Sequence, residues 1–201
     1  MRKIDANKKK KENSLLNTAF NFFTTKGFSK TSISDIVSEA GVAKGTFYLY
    51  FKDKYDIRNK LISHKSSQIF RTAVMELEKD LPSLSFEDKI IKIVDNIVNQ
   101  LYSDKTLLTF ISKNLSWGIF KNALTSPSKD QDINFSDVYF AMLDDAPYKI
   151  SEPEIMLFMI VELVSSTCYS AILYEEPCSL DKLKPHLYAA VRMIIKNNYC
   201  E

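Results

Sequence analysis

The chain has 201 residues, of which 45% are hydrophobic and 26% are charged, and only four are glycine. This length fits one ordinary domain, or a small module joined to a larger one. So little glycine argues against a β-rich fold with many tight turns and against a glycine-rich phosphate loop, because both rely on that residue's backbone freedom. The composition therefore favours an all-α protein.

The net charge of +2 conceals an uneven distribution along the chain. Residues 1–65 carry 14 Lys and Arg against 6 Asp and Glu, a net charge of +8, whereas residues 66–201 carry 13 against 19, a net charge of −6. Four consecutive lysines at 8–11 form a short basic arm that runs into the first predicted helix. A basic first third is typical of a segment that meets a polyanion, although a solvated basic face without a partner has the same composition.

The sequence also predicts where the protein resides. The cysteines form no C-x-x-C pair and are odd in number, which favours a reduced intracellular chain. No apolar segment of a signal peptide follows the basic start, and the longest apolar run, Ile155 to Val161, is too short to span a bilayer. We therefore expect a cytoplasmic protein without a membrane partner.

Helical periodicity predicts four helices in the first 80 residues. The first ends at Gly27, which can adopt the left-handed backbone that stops a helix. Ser32 and Asp35 have the spacing of a capping box, in which each side chain bonds the other residue's backbone, and they open a second helix that ends at Gly41. After a short third helix, Asp53 can cap a long fourth helix that the pattern carries to about residue 79.

The rest of the chain is also helical in pattern. Apolar stripes predict further helices over these ranges: 86–102, 107–115, 138–143 and 180–197. A polar, proline-containing stretch at 126–132 predicts a loop. Ser151, as a cap, followed by Pro153 predicts the start of a long helix that runs to about Tyr174.

The second and third predicted helices have the organisation of a helix-turn-helix: a helix at 33–40, a turn at 41–43 and a short helix at 44–51. Ala40 is small enough for the two helices to cross closely, and Gly41 can supply the left-handed turn. In such a unit the second helix can lie in the major groove of DNA while the first crosses the backbone.

The short helix of this unit is rich in aromatic residues. Phe47 and Phe51 share one face, which we assign to the core, so Lys44, Tyr48 and Leu49 face outward. A lysine can reach a guanine edge, a tyrosine hydroxyl can reach a phosphate oxygen, and a leucine can touch a thymine methyl. The alternative is that the aromatic residues only pack this helix against the protein and that it contacts no DNA. The basic charge, the turn and the outward tyrosine favour DNA binding.

Residues 31–54, TSISDIVSEAGVAKGTFYLYFKDK, resemble the DNA-binding signature of tetracycline-repressor-like (TetR/AcrR) regulators. The resemblance covers about residues 10–60, and the remainder matches only in length and helical pattern. It implies an all-α fold with a three-helix DNA-binding domain at 1–54 and a helical effector-binding and dimerisation domain at 55–201. It also implies a homodimer on a palindromic operator in double-stranded DNA.

Carried over by position, the resemblance implies that nine residues contact DNA: Thr31, Ser34, Lys44, Gly45, Thr46, Tyr48, Leu49, Tyr50 and Lys54. Thr31, Ser34 and Lys54 would hold phosphate, and the dipole of the fourth helix would assist Lys54. Residues 44–46 would begin the recognition helix. The sequence departs from the family at Leu49, where many members carry a polar or aromatic residue that reads bases.

The middle of the chain is rich in aromatic and methionine side chains, which suit a pocket for a small apolar or aromatic effector. The pattern does not separate pocket lining from ordinary core. The candidate lining residues are His64, Tyr102, Phe110, Trp117, Tyr139, Met142, Met159 and Tyr169.

Residues 151–197 supply two long helices, and Ser166, Ser170 and Ala171 place small side chains along the first of them. Two such helices from each of two chains can form a self-complementary four-helix interface. Ordinary packing within one chain produces the same periodicity.

An enzyme is disfavoured because no nucleophile or acid and base pair can be assembled. His64 and His186 lack neighbours at metal-ligand spacing, so we expect no metal site, no cofactor and no catalytic residue. The resemblance therefore implies a transcriptional repressor that a small effector releases from its operator. An alternative keeps DNA binding and makes the second domain a protein-interaction module.

Overall fold

The computed structural model describes residues 3–77, 84–112, 117–120 and 135–200. These ranges hold the helices α1 (Lys3–Thr25), α2 (Ile33–Glu39), α3 (Lys44–Tyr50), α4 (Lys54–Leu77), α5 (Phe86–Ser103), α6 (Lys105–Ser112), α7 (Phe135–Asp144), α8 (Pro153–Tyr174) and α9 (Leu180–Asn197). Residues 117–120 are helical as well. An isolated antiparallel bridge pairs Ile150 with Tyr199. The predicted all-α fold is confirmed, while the predicted loop at 126–132 lies outside the described residues.

The chain divides into two compact units, residues 1–64 and 65–201. The boundary between these units lies within α4. The predicted domain boundary after residue 54 lies ten residues earlier, at the start of the same helix. The lysines at 8–11, which we expected to precede the first helix as an arm, lie within α1.

The first unit has a core of aliphatic and aromatic side chains from α1, α2, α3, the residue after α3, and α4. Its buried members are Leu15, Leu16, Ala19, Phe23, Ile36, Val37, Phe47, Phe51, Ile57, Leu61 and Ile62. Phe47 and Phe51 are 0% and 1% exposed, which confirms that this face of α3 belongs to the core. The opposite face of α3 is thereby directed outward.

Local hydrogen bonds set the ends of α2 and α4 as the sequence predicts. The Ser32 hydroxyl accepts from the Asp35 amide at 3.1 Å, and the Asp35 carboxylate accepts from the Ser32 amide at 2.8 Å, which confirms the capping box. Gly41 has a φ of 65°, the left-handed turn expected between α2 and α3. The Asp53 carboxylate accepts from two amides in the first turn of α4, at 2.7 and 2.8 Å.

The second unit is built around α8, which contacts α5, α6 and α9. Its buried side chains include Met156, Ile160, Val164, Cys168 and Ile172. By length and composition α8 is the one helix in the described ranges that could cross a membrane, with a mean hydropathy of 1.8 over an 18-residue window of which 33% is buried. The apolar part of this helix is therefore longer than the run from Ile155 to Val161 that the sequence analysis considered. The core helix of a soluble protein meets the same criterion.

The start of α8 differs from the prediction. The helix begins at Pro153 after Glu152, and Ser151 does not cap it. The Ser151 amide and hydroxyl instead donate to the Asn198 carbonyl, at 2.8 and 3.2 Å. The side chain is thus used to tie the start of α8 to the end of α9.

A charged cluster joins α5 to α9. Lys184 Nζ lies 2.7 Å from the Asp95 carboxylate and 2.6 Å from the Asn99 amide oxygen, and the Tyr188 hydroxyl also donates to Asp95. Partial burial raises the pKa of the Asp95 carboxyl, but the hydrogen bonds from Lys184 and Tyr188 outweigh it and hold the pKa below its ordinary value. Asp95 is therefore a carboxylate at neutral pH, paired across two helices.

Candidate nucleic-acid interface and effector cavity

The outer face of α3 presents four of the residues predicted to contact DNA. Lys44 and Gly45 are exposed, Tyr48 is 52% exposed, and Leu49 is 81% exposed. This arrangement follows from the helical period, because burying Phe47 turns its neighbours on the sequence away from the core. The surface combines a cation, a phenol and an aliphatic group, the set that can contact phosphates and base edges.

Packing within the protein does not require a glycine at position 45. A Cβ built on this residue meets no atom of the described structure within 4 Å, and its φ is not positive. Neither a steric conflict nor a left-handed backbone thus requires glycine within the free protein. The open space above Gly45 lies on the same outer face as Lys44 and Tyr48.

The other two predicted residues near this face are Ser34, which is exposed on α2, and Thr46, which is half-buried on α3. Thr31 requires a correction. Its side chain is 1% exposed, and its hydroxyl donates to the Gly27 carbonyl at 2.9 Å. The hydroxyl is committed to the loop between α1 and α2, so it is not placed to hold a phosphate.

Lys54 requires the second correction. Its ammonium donates to the carbonyls of Phe28 and Thr31, each at 2.9 Å, and lies 4.4 Å from the centroid of the Phe28 ring. These contacts fasten the loop before α2 to the first residue of α4. Lys54 therefore positions this loop, a role that its place in the family signature did not indicate, and its contact with phosphate stays a prediction.

Tyr50 requires the third correction. It is half-buried at the end of α3, and its hydroxyl donates to the Lys8 carbonyl at 3.1 Å. Its own carbonyl accepts from Lys60 Nζ at 2.6 Å. Tyr50 thus joins α3 to both α1 and α4, and its hydroxyl is engaged within the unit.

An aromatic cluster between the loop before α2 and the start of α4 was not predicted from the sequence. Phe28 packs edge-on against Tyr55 with ring centroids 5.1 Å apart, and the Arg58 guanidinium lies 4.8 Å from the Phe28 centroid. An aromatic residue directly after the glycine that ends α1 was the available signal, because a phenylalanine in a polar loop needs a surface to cover it.

The second unit contains a cavity with a volume of about 150 Å³. Its walls are mainly aliphatic and come from α4, α5, α6, α7 and α8, together with Phe120. Of the predicted lining residues, Tyr139 and Met142 do line it. Ser66, Ile69 and Cys168 also line it, although no pattern in the sequence distinguishes them from core residues.

The other predicted lining residues do not line this cavity and are corrected as a group: His64, Tyr102, Phe110, Trp117, Met159 and Tyr169. His64 is exposed in the first unit, and Tyr102 and Met159 are 53% and 38% exposed. Trp117 packs edge-on against the Phe158 ring at 5.1 Å and donates to the Glu154 carboxylate at 3.3 Å. Phe110 is buried away from the cavity, and the Tyr169 ring lies 6.0 Å from that of Tyr174.

The cavity is electrically neutral along its described lining, which includes no Asp, Glu, Lys, Arg or His. Burial raises the pKa of the Cys168 thiol to about 11, and it raises the pKa of the Tyr139 phenol, so both groups stay uncharged at neutral pH. The Tyr139 hydroxyl donates to the Pro153 carbonyl at 2.7 Å. The Ser66 hydroxyl is buried without a hydrogen-bond partner among the described residues.

The described part of the chain contains no group of three or more His, Cys, Asp or Glu side chains that could hold a metal ion.

Comparison with known proteins agrees with the geometry of the first unit. Residues 15–61 match the family described as bacterial regulatory proteins, tetR family. The chain is 33% identical over 94 residues to the HTH-type transcriptional regulator YdgC of Bacillus subtilis, covering 46% of this chain and 48% of that protein. It is 29% identical over 101 residues to the fatty acid metabolism regulator protein of the same species, covering 50% of each.

The chain spans about a third to a half of the length of the first curated relatives, 31% of one and 48% of another. The likeness of fold extends further. The transcriptional regulator FadR from Bacillus subtilis, solved in complex with stearoyl-CoA, has a TM-score of 0.63 at 17% identity, covering 90% of this chain and 96% of that one.

These proteins are transcriptional regulators, in agreement with the prediction that the chain is not an enzyme. The match at 15–61 spans the capped α2, the turn at Gly41 and the outward face of α3, and the helical fold continues through the second unit. Residues 15–61 of this chain therefore match the tetR family of bacterial regulatory proteins, and the chain as a whole shares its fold with a solved transcriptional regulator.

Proposed function

We propose that the protein is a DNA-binding transcriptional repressor and that α3 is its recognition helix. The observation that carries the proposal is the division of α3 into a buried phenylalanine face and an outer face with Lys44, Tyr48 and Leu49. A lysine at the start of the helix suits a guanine edge, while Tyr48 suits the phosphate backbone. Exposed Ser34 on α2 supplies a further hydroxyl for phosphate.

We propose a homodimer on a palindromic operator, because the outer faces of α8 and α9 carry exposed apolar side chains. Ile155 is 51% exposed on α8 and Met193 is 65% exposed on α9, and the same two helices carry the small exposed residues Ser166 and Ala189. Such a patch can pair with its own copy about a two-fold axis. Two recognition helices would then occupy half-sites about 34 Å apart, one turn of the duplex.

The effector we propose is an uncharged molecule with an aliphatic or aromatic body, bound in the cavity of the second unit. The neutral lining supports this, since an ionised group would lose its hydration there without a counter-ion. The complex of FadR with stearoyl-CoA makes an acyl chain the first candidate for the apolar body. The cavity also favours a small molecule over the alternative of a protein partner for this unit.

Release from DNA requires that the effector bind two conformations of the dimer with different affinity. Helix α4 is continuous from Lys54 to Leu77 and contributes Ile69 to the cavity wall, so it is the element through which we expect the two sites to be coupled.

Selection of bound duplexes from a random pool tests this proposal. We expect an inverted repeat, with Lys44→Ala protein enriching a less defined sequence because a base contact is lost. When acyl chains are added to the selected complex as alcohols and as acids, alcohols of one length range should release the DNA, whereas the ionised acids should not. Recovery of random duplexes alone would contradict the repressor proposal, and binding of an acyl compound without any change in operator affinity would contradict the coupling.

A further inference from the structure

We propose that the lysines in the first turns of α1 form a second DNA-contact surface that binds the phosphate backbone beside the recognition helix. Lys8 and Lys11, which are three residues apart and so share one face of the helix, constitute this surface, which we call the α1 lysine surface. The inference rests on the proposed DNA-binding function and adds a contact outside the helix-turn-helix. Its occupant is the backbone of the same duplex that α3 enters.

The charge of this segment is the first observation. Helix α1 begins at Lys3, whereas the family match begins at residue 15, so the helix extends well ahead of the matched region. The segment holds four consecutive lysines at 8–11, and Lys8, Lys10 and Lys11 are exposed. Lysines at this density repel one another along a helix, and a bound polyanion would reduce this repulsion.

The position of the segment is the second and independent observation. The Tyr50 hydroxyl, at the last residue of α3, donates to the Lys8 carbonyl at 3.1 Å. The Ser14 hydroxyl donates to the Ala40 carbonyl at the end of α2, at 3.4 Å. The early turns of α1 are therefore bonded to both helices of the helix-turn-helix.

The end of α3 is itself fixed, which makes Tyr50 a suitable anchor. Lys60 Nζ donates to the Tyr50 carbonyl at 2.6 Å and lies 4.9 Å from the centroid of the Phe51 ring. Tyr50 can thus hold the backbone of α1 at a set place relative to the recognition helix.

Duplex geometry identifies the partner. The major groove is about 12 Å wide and is bordered on both sides by phosphates, so an element bonded to one end of an inserted helix lies at the groove edge. Lysines bind phosphate as point charges and carry no base preference. The α1 lysine surface should therefore raise affinity for operator and random duplexes alike.

The test compares the double variant Lys8→Gln, Lys11→Gln with a control that removes two exposed lysines from the second unit, Lys149→Gln, Lys196→Gln. Both lose the same charge, and glutamine preserves helix propensity. Each lost phosphate contact lowers the slope of log affinity against log salt by about 0.9, so the double variant should lose about 1.8 per subunit. The control should keep the wild-type slope, and the ratio of operator to random affinity should stay unchanged in both.

A positioning role for Tyr50 is tested separately with Tyr50→Phe, which removes only the hydroxyl and no charge. We expect its salt slope to fall towards that of the double variant, and we expect no additional fall when the two are combined. Circular dichroism on each variant checks that the total helix content is unchanged.

Equal slopes for the double variant and wild type would overturn the inference while leaving the recognition helix intact. A double variant with an altered operator-to-random ratio would also overturn it, because that result assigns base reading to the segment. If the wild-type protein bound no duplex in a salt-dependent way, the proposed function itself would fail. Loss of binding to anionic vesicles, with duplex binding unchanged, would assign the surface to lipid and contradict the inference.

Discussion

Replacement of Lys54 by methionine distinguishes a residue that holds the fold from one that holds phosphate. Methionine keeps the length and apolar character of the stem while removing the ammonium. The change leaves the carbonyls of Phe28 and Thr31 without the donor that lies 2.9 Å from each, and it removes the cation 4.4 Å from the Phe28 ring.

The cost can be worked from these contacts. A hydrogen bond from a charged donor contributes about 1.5–3 kcal/mol, and a cation over an aromatic ring contributes about 0.5–1 kcal/mol near the surface. Lys54 is half-buried, so water can replace part of each bond, and we expect a loss of about 2–4 kcal/mol in the free energy of unfolding. Because α2 is then less firmly positioned, operator affinity should fall without a change in its salt slope.

Urea denaturation followed by circular dichroism gives the stability, and anisotropy of a labelled duplex at several salt concentrations gives the slope. Lys52→Met is the matched control, since Lys52 is exposed two residues earlier and the change removes the same charge. The reasoning would be refuted if the two variants were equally stable and Lys54→Met lowered the salt slope by about one unit, the value for a lost phosphate contact.

Three further changes test other parts of the structure. Gly45→Ala should leave the free protein as stable as wild type, or more stable by up to about 1 kcal/mol, because alanine favours helix. The added methyl group should nevertheless weaken operator binding, because the duplex approaches this face, whereas Gly118→Ala should not affect binding. Equal operator affinities for Gly45→Ala and wild type would place the duplex elsewhere. The pKa of Asp95 is lowered in the folded state, so its pairing stabilises the protein at neutral pH and this stabilisation is lost in acid. Below about pH 4, the free energy of unfolding of wild type should therefore fall more steeply than that of Asp95→Asn. Parallel plots of this free energy against pH for the two proteins would disprove the expectation. Ser66→Ala removes a buried hydroxyl without a partner in the described structure and should raise the melting temperature, so a lower one in a thermal scan would reveal a hydrogen bond there.

The sequence was sufficient wherever local chemistry decides the structure. The capping box at Ser32 and Asp35, the turn at Gly41 and the buried face of α3 depend on neighbours within four residues, so the pattern contained the answer. The internal hydrogen bonds of Lys54 and Tyr50 were not predicted because their partners lie 26, 23 and 42 residues away, and family position alone suggested DNA.

The cavity was predicted less well, because composition does not specify the direction of a side chain. Tyr139 and Met142 line it, whereas the similar residues Tyr102 and Met159 face outward. Helix α8 is apolar on all sides, so its sequence has no period that separates the core face from the exposed face. Only the packing of α5, α6 and α9 against it makes that distinction.

Duplex titration of two tyrosine variants tests the central claim, that the outer face of α3 contacts DNA, most directly. Tyr48 and Tyr102 are 52% and 53% exposed, one on α3 and the other on α5, so truncating each to alanine removes a comparable side chain from two surfaces. We predict that Tyr48→Ala weakens operator binding at least tenfold while Tyr102→Ala binds as wild type does. Wild-type affinity in Tyr48→Ala, or equal losses in the two variants, would contradict the account.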